Sequence, residues 1–138
     1  MQTEKTIFAK IIAGEIPCIK IYEDADTFAF LDIQPNAIGH TLVVPKVRYE
    51  NIHELPDEIA SAMFRTVKKI AGATKTALNS DGTKIIMNNG SASGQVVFHA
   101  HIHIIPRFEG DKFRSGEHLK YKDGEAGAVA AKIRAEIK

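Results

Sequence analysis

Three of the six histidines stand at alternate positions, His99, His101 and His103, separated by Ala100 and Ile102 and followed by Ile104 and Ile105. Imidazole titrates near neutrality, so this one side-chain type can attack phosphorus, carry a proton or ligate a metal. On a strand, alternate residues share a face. That predicts His99, His101 and His103 on one face and Ala100, Ile102 and Ile104 on the other. A slip of one residue would exchange imidazoles for isoleucines, so the register is firmly specified. Successive imidazoles then stand roughly 6–7 Å apart along the strand, close enough to serve one small group.

On the residues alone, three readings of the row stay open. Histidines on an exposed sheet face need no function, although strict alternation argues against chance. A His-x-His strand can present two imidazoles to zinc, but this strand brings no Cys or carboxylate, so further ligands would come from elsewhere. The third reading is phosphoryl chemistry. The preceding loop, Asn89 to Gln95, carries Gly90 and Gly94 with Ser91, Ser93 and Gln95. Such a loop can turn backbone N–H groups inward as an anion-binding nest. An imidazole just beyond it can attack phosphorus to give a covalent intermediate. A neighbouring imidazolium would then stabilise the added charge or protonate the leaving group.

Composition narrows the partners. A chain of 138 residues suits one domain with its own core. Its formal net charge of +1 provides no strong field for nucleic acid or a membrane surface, so a small polar ligand in a local pocket is expected. Cys18 is the sole cysteine, which excludes an intramolecular disulfide and suits a reducing, intracellular setting. No run approaches the roughly 18 apolar residues of a membrane span. Met1 to Lys5 lacks the basic start and apolar run of a secretory signal. The expected location is the cytoplasm.

The elements that must position the histidines follow from periodicity. Thr6 to Ala13 reads as a short helix on Ile7, Phe8, Ile11 and Ile12, stopped by Gly14. It is too short to persist alone and must dock over a core or a pocket. Cys18 to Glu23 and Thr27 to Ile33 read as a hairpin turning at Asp24-Ala25-Asp26. Phe28, Phe30 and Asp32 share one face of its second strand. His40 to Val44 is a third strand, and Lys84 to Asn88 a fourth. Leu55 to Leu78 is the long helix, with an apolar stripe through Ile59, Met63, Val67, Ile70 and Leu78. Glu125 to Ile137 is a last helix. Antiparallel strands with one long inserted helix argue an α+β fold.

His99-Ala100-His101-Ile102-His103-Ile104-Ile105 resembles the His-φ-His-φ-His-φ-φ motif of the histidine-triad (HIT) superfamily, where φ is apolar. Residues 6–17, Phe30 to Pro35 and Gly39 to Lys46 resemble further blocks of its Hint branch. The resemblance covers residues 6 to about 107 of a single domain spanning 1–138, with 108–138 as a tail. It implies a five-stranded antiparallel sheet with one long helix and short terminal helices. It also implies a homodimer with a ten-stranded sheet, onto which the tail would dock. The implied activity is hydrolysis or transfer at the α-phosphate of purine nucleotides of AMP or GMP type, with nucleoside phosphoramidates as typical substrates.

Site residues implied by the resemblance are carried over by position. His101 is the nucleophile that forms a nucleotidyl-histidine, flanked by His103 and His99. Asn88, Gly94, Gln95 and the backbone of Val96 match positions near the phosphate and leaving group. Asp32 matches the carboxylate that accepts both ribose hydroxyls, and Ile7, Phe8, Ile11, Phe30, Ile33 and Leu42 match the apolar base slot. His40 supports the triad or simply ends a strand.

Two positions depart from the family pattern. Thr6 and Ala9 stand where many bacterial members carry a zinc-binding Cys pair, so no structural zinc is expected and His53 loses that role. No other cofactor is expected. Val96 replaces a frequent Ser or Thr, which removes a hydroxyl contact to phosphate. Other readings are a non-catalytic nucleotide-binding module, a dinucleoside polyphosphate hydrolase, or a metal enzyme on the three histidines.

Overall fold

The computed structural model describes residues 5–112 and 117–138. Helix α1, Ile7–Ile12, opens at Thr6, whose side chain accepts the Ala9 N–H at 3.0 Å. Strands β1, Lys20–Glu23, and β2, Thr27–Leu31, form the expected hairpin. One carboxylate makes its turn: Asp24 Oδ1 accepts from the N–H of Asp26, the N–H of Thr27 and the Thr27 hydroxyl. Strand β3 is Thr41–Pro45, helix α2 Asp57–Leu78, strand β4 Gly82–Ile86, strand β5 Ile102–Arg107 and helix α3 Glu125–Ala135. Short 3-10 turns occupy Ile52–Glu54 and Ser91–Ser93.

The strands form one five-stranded antiparallel sheet in the order β1-β2-β3-β5-β4. Both faces of its centre, at β2 and β3, are covered. On one, Ala29, Leu31, Val43, Ile102 and Ile104 pack against Met63, Val67 and Ile70 of α2 and Val129, Ala130 and Ile133 of α3. On the other, Phe8 of α1 packs over Phe28, Phe30, Leu42 and Val44. Every residue of β2 and β3 is buried, which explains why those strands read as near-continuous apolar runs.

Strand β4 starts and ends two residues earlier than the expected Lys84 to Asn88. Asn79, at φ 54°, ends α2 in the left-handed conformation, and the Asp81 N–H then donates to Arg107 O, so pairing begins at once. Strand β2 stops at Leu31, which leaves Asp32 on the following turn.

The histidine row departs from a continuous strand. Pairing begins at Ile102, so His99 and His101 lie ahead of β5. Their side is not a solvent face either: His99 is wholly buried and His101 is 6% exposed. The alternation still sorts the side chains, with Ile102 and Ile104 in the α2 core and His101 and His103 under α1.

The tail packs on its own chain. Helix α3 buries Val129, Ala130 and Ile133 against β1 and α2. Ahead of it, Leu119 N–H donates to Pro35 O at 2.7 Å, and Tyr121 Oη accepts the Gly39 N–H at 3.0 Å. These bonds strap the tail across the loop that joins Asp32 to His40.

Candidate active site

Under α1 lies a cavity of about 500 Å³, a size suited to a small molecule. Its walls bring together eight of the expected residues from four stretches of chain: Ile7, Phe8 and Ile11 of α1, Phe30 of β2, Asp32 and Ile33 just beyond it, Leu42 of β3, and Val96. His101 and His103 also line it, whereas His99, Asn88, Gly94 and Gln95, expected with them, do not. Ile16, Pro17, Cys18, Leu31, Gln34 and Val97 also line it, none of which was assigned to the site from sequence. Cys18 is half-buried in this wall, and burial raises its thiol pKa. Pro17 and Cys18 lie on the link between α1 and β1, and closeness in sequence to the α1 lining residues was the available signal.

Hydrogen bonding makes the three histidines different from one another. His101 Nδ1 lies 2.7 Å from the carbonyl oxygen of His99, which can only accept. Nδ1 therefore carries the proton, and Nε2 keeps its lone pair. Phe8 packs edge-on against this ring with centroids 5.0 Å apart. Burial lowers the pKa of His101, which keeps the ring neutral.

His103 has the opposite tautomer. The Asn36 backbone N–H, a donor only, lies 3.0 Å from His40 Nδ1. His40 therefore carries its proton on Nε2 and donates it to His103 Nδ1 at 2.9 Å. The remaining proton of His103 sits on Nε2. Burial, with the charge of neighbouring histidines, pushes His40 down to about 3 and His103 down to about 4. The neighbouring imidazolium expected from sequence is thus a neutral donor here. His40 sits behind His103 as support rather than as a lining residue.

His99 lies outside the cavity lining. Its Nε2 faces Pro45 O at 2.9 Å and its Nδ1 faces the Thr6 hydroxyl at 2.8 Å. Asp32 Oδ1 accepts the Gln34 N–H at 2.9 Å, and burial raises the carboxyl pKa.

The loop before the triad is not an open anion nest. The N–H groups of Ser93, Gly94 and Gln95 bond to carbonyls of Gly90 and Ser91. Gly90 N–H donates to Gln95 Oε1, while Gln95 Nε2 donates to Glu50 O and Val97 O. Gln95 is buried and ties the loop together. Asn88, Gly94 and Gln95 are not among the cavity-lining residues, whereas Val96 and Val97 are. Val96 is 83% exposed.

Asp32, His40 and His103 place three potential ligand atoms within 4.8 Å of one another. A metal there would compete with the hydrogen bond between the two histidines. Binding would need both His40 Nε2 and His103 Nδ1 as lone pairs, yet the proton between them cannot move to His40 Nδ1, which already receives Asn36 N–H. Thr6 and Ala9 bring no thiolate, and the Thr6 oxygen is committed to His99 and Ala9.

The model of the HIT domain matches residues 13–110. The chain belongs to the HIT family. Adenylylsulfatase HINT3 of Arabidopsis thaliana is 41% identical over 135 residues, covering 95% of this chain and 68% of that one. Adenosine 5'-monophosphoramidase HNT1 of Candida albicans is 43% identical over 105 residues, covering 73% and 69%. Among solved structures, a Hit-like protein from Bartonella henselae superposes with a TM-score of 0.90 at 41% identity, covering 98% of each chain. The five-stranded antiparallel sheet and its helices are therefore those of this family.

Proposed function

We propose that the protein is a nucleotide-binding hydrolase or transferase that acts at the α-phosphate of purine nucleotides through a nucleotidyl-His101 intermediate. The carrying observation is the His101 Nδ1–H bond to His99 O, which leaves Nε2 as a lone pair on a cavity wall. Ile7, Phe8, Ile11, Phe30, Ile33 and Leu42 form the base slot, and Asp32 takes the ribose hydroxyls. His101 Nε2 forms the N–P bond as the bond from phosphorus to the leaving group breaks. The leaving group departs with that electron pair and takes a proton from water. His103 Nε2–H donates to a phosphoryl oxygen. Water then attacks phosphorus, the N–P bond breaks, the lone pair returns to Nε2, and the proton of the water passes to solvent.

Asn88, Gly94, Gln95 and the Val96 backbone stand near the phosphate and leaving group, and Gln95 ties their loop together. The relatives named for adenylylsulfatase and adenosine monophosphoramidase activity support the class of reaction. A homodimer with a ten-stranded sheet belongs to the same reading. Its support is edge strand β4, with Ile85 40% exposed, beside α2, where Phe64 is 53% exposed. Light scattering on the eluted protein reads the dimer directly, and a monomer at micromolar concentration removes that part.

Incubation with an adenosine phosphoramidate, base quenching and intact mass analysis test the chemistry. An AMP adduct is expected in the wild type and absent in His101→Ala. Equal turnover by His101→Ala overturns the mechanism.

A further inference from the structure

Thr6 stands where the wall of the base slot meets the triad. Its Oγ1 accepts the Ala9 N–H at 3.0 Å, which caps α1. The same oxygen lies 2.8 Å from His99 Nδ1. The other nitrogen of His99 faces Pro45 O at 2.9 Å and must carry its proton there, because a carbonyl only accepts. His99 Nδ1 is therefore a lone pair, and the Thr6 hydroxyl donates to it. The backbone carbonyl of His99 in turn holds His101 Nδ1–H at 2.7 Å. Phe8, two residues into the capped segment, packs edge-on against both rings, at 5.9 Å from His99 and 5.0 Å from His101.

We infer that Thr6 is a positioning residue for His101: its hydroxyl locks the buried His99 and sets α1 over the attacking nitrogen. This rests on the reading of His101 as nucleophile. The physical reason is economy of partners. His99 is wholly buried, so no bulk water can replace the hydroxyl at Nδ1. An unpaired lone pair there drives the ring to shift, and the carbonyl that orients His101 shifts with it. The helix α1 has six residues and does not persist without a cap and a docking partner. One side chain supplies the first and half of the second.

Three substitutions separate this role from simple capping. Thr6→Ser keeps the hydroxyl. Thr6→Asp keeps an oxygen for the Ala9 N–H, and Asp is a good N-cap, but it has no proton to give His99. Thr6→Val loses both bonds. Turnover of an adenosine phosphoramidate is read together with far-UV circular dichroism, which checks that each variant is folded. The expected result is near-wild-type kcat for Thr6→Ser and a loss on the order of 10- to 100-fold for Thr6→Asp and Thr6→Val. KM rises only in Thr6→Val, where the helix also loses its cap. Wild-type turnover by Thr6→Asp overturns the proposal and leaves capping as the whole role of Thr6.

Imidazole nitrogen NMR on the free protein gives a readout that needs no turnover. Wild type is expected to show His99 protonated at Nε2 and His101 at Nδ1, with both signals shifted or split in Thr6→Asp and Thr6→Val. Unchanged signals overturn the positioning role. A wild type that turns over no substrate while these signals do shift overturns the catalytic reading of His101 instead.

Discussion

His40 Nε2 lies 2.9 Å from His103 Nδ1, and the Asn36 N–H on the far side of His40 decides which ring owns the shared proton. Replacing His40 by Phe keeps the ring volume and removes the donor. His103 Nδ1 is then unpaired, and its proton is free to occupy either nitrogen. A loss in kcat on the order of 10-fold or more is expected, since a misdirected proton donor no longer meets the phosphoryl oxygen. Steady-state kinetics check it, with KM changing less than kcat because His40 does not line the cavity.

The same pair predicts acid sensitivity. His40 and His103 titrate at about 3 and about 4 in the folded protein, against an ordinary value of 6.5. Below pH 6.5 the unfolded chain takes up protons that the folded chain refuses, so the unfolded state gains. This contribution to stability is complete above pH 6.5 and is lost as pH falls toward 4 and then 3. The urea midpoint should drop steadily from pH 7 to pH 4.5, with a shallower slope in His40→Phe. A midpoint flat across that window contradicts neutral buried imidazoles.

Much of this was legible in the sequence, and the exceptions have physical causes. Alternation put Ile102 and Ile104 in the core and the histidines opposite them, because strand periodicity survives even where ladder pairing does not. It could not show that both faces are covered, since α1 and its aromatic cluster are distant in sequence from β5. The small residues of the 89–95 loop suggested a nest, but composition does not reveal that Gln95 closes the turn with its own amide. The roles of Thr6 and Asn36 depend on a hydroxyl and a backbone N–H meeting specific ring nitrogens, which no spacing rule encodes. Nor does the tail announce that it straps its own 34–39 loop.

Gly39 ties that loop to the core. It has φ +97°, and a Cβ there would meet Leu78 Cδ1 at 2.5 Å and Pro106 Cγ at 3.4 Å. Gly39→Ala combines a strained backbone with a clash into packed side chains, so destabilisation of about 1–3 kcal/mol is expected. Equilibrium urea unfolding measures it. Because Gly39 directly precedes His40 and donates its N–H to Tyr121, kcat should fall as well in the fraction that remains folded.

Val96 offers a gain-of-function test. It is largely exposed on the cavity wall, so Val96→Ser should leave stability within about 0.5 kcal/mol. A hydroxyl there adds a donor beside the phosphate. One neutral hydrogen bond worth about 1 kcal/mol corresponds to a several-fold rise in kcat/KM. The comparison uses adenosine phosphoramidate with wild type and variant side by side. An unchanged or lower kcat/KM removes Val96 from the phosphate subsite.

Asp32 separates recognition of the sugar from chemistry at phosphorus. It follows β2 at the cavity wall, with Oδ1 accepting Gln34 N–H and Oδ2 lying 3.8 Å from His40 Nε2. A carboxylate accepts two hydroxyls at once, whereas an amide accepts through one oxygen and presents donors at the other position. Asp32→Asn should therefore raise KM for a ribonucleotide substrate by about 10-fold, the value of one or two charge-assisted hydrogen bonds. The 2'-deoxy substrate should lose less, because half of the contact is already missing. Burial raises the Asp32 carboxyl pKa, so wild-type affinity for the ribonucleotide should weaken as pH falls through that raised value. The variant should lack this dependence. Equal discrimination between ribo- and deoxyribo-substrates by Asp32→Asn and wild type would place the ribose elsewhere in the cavity.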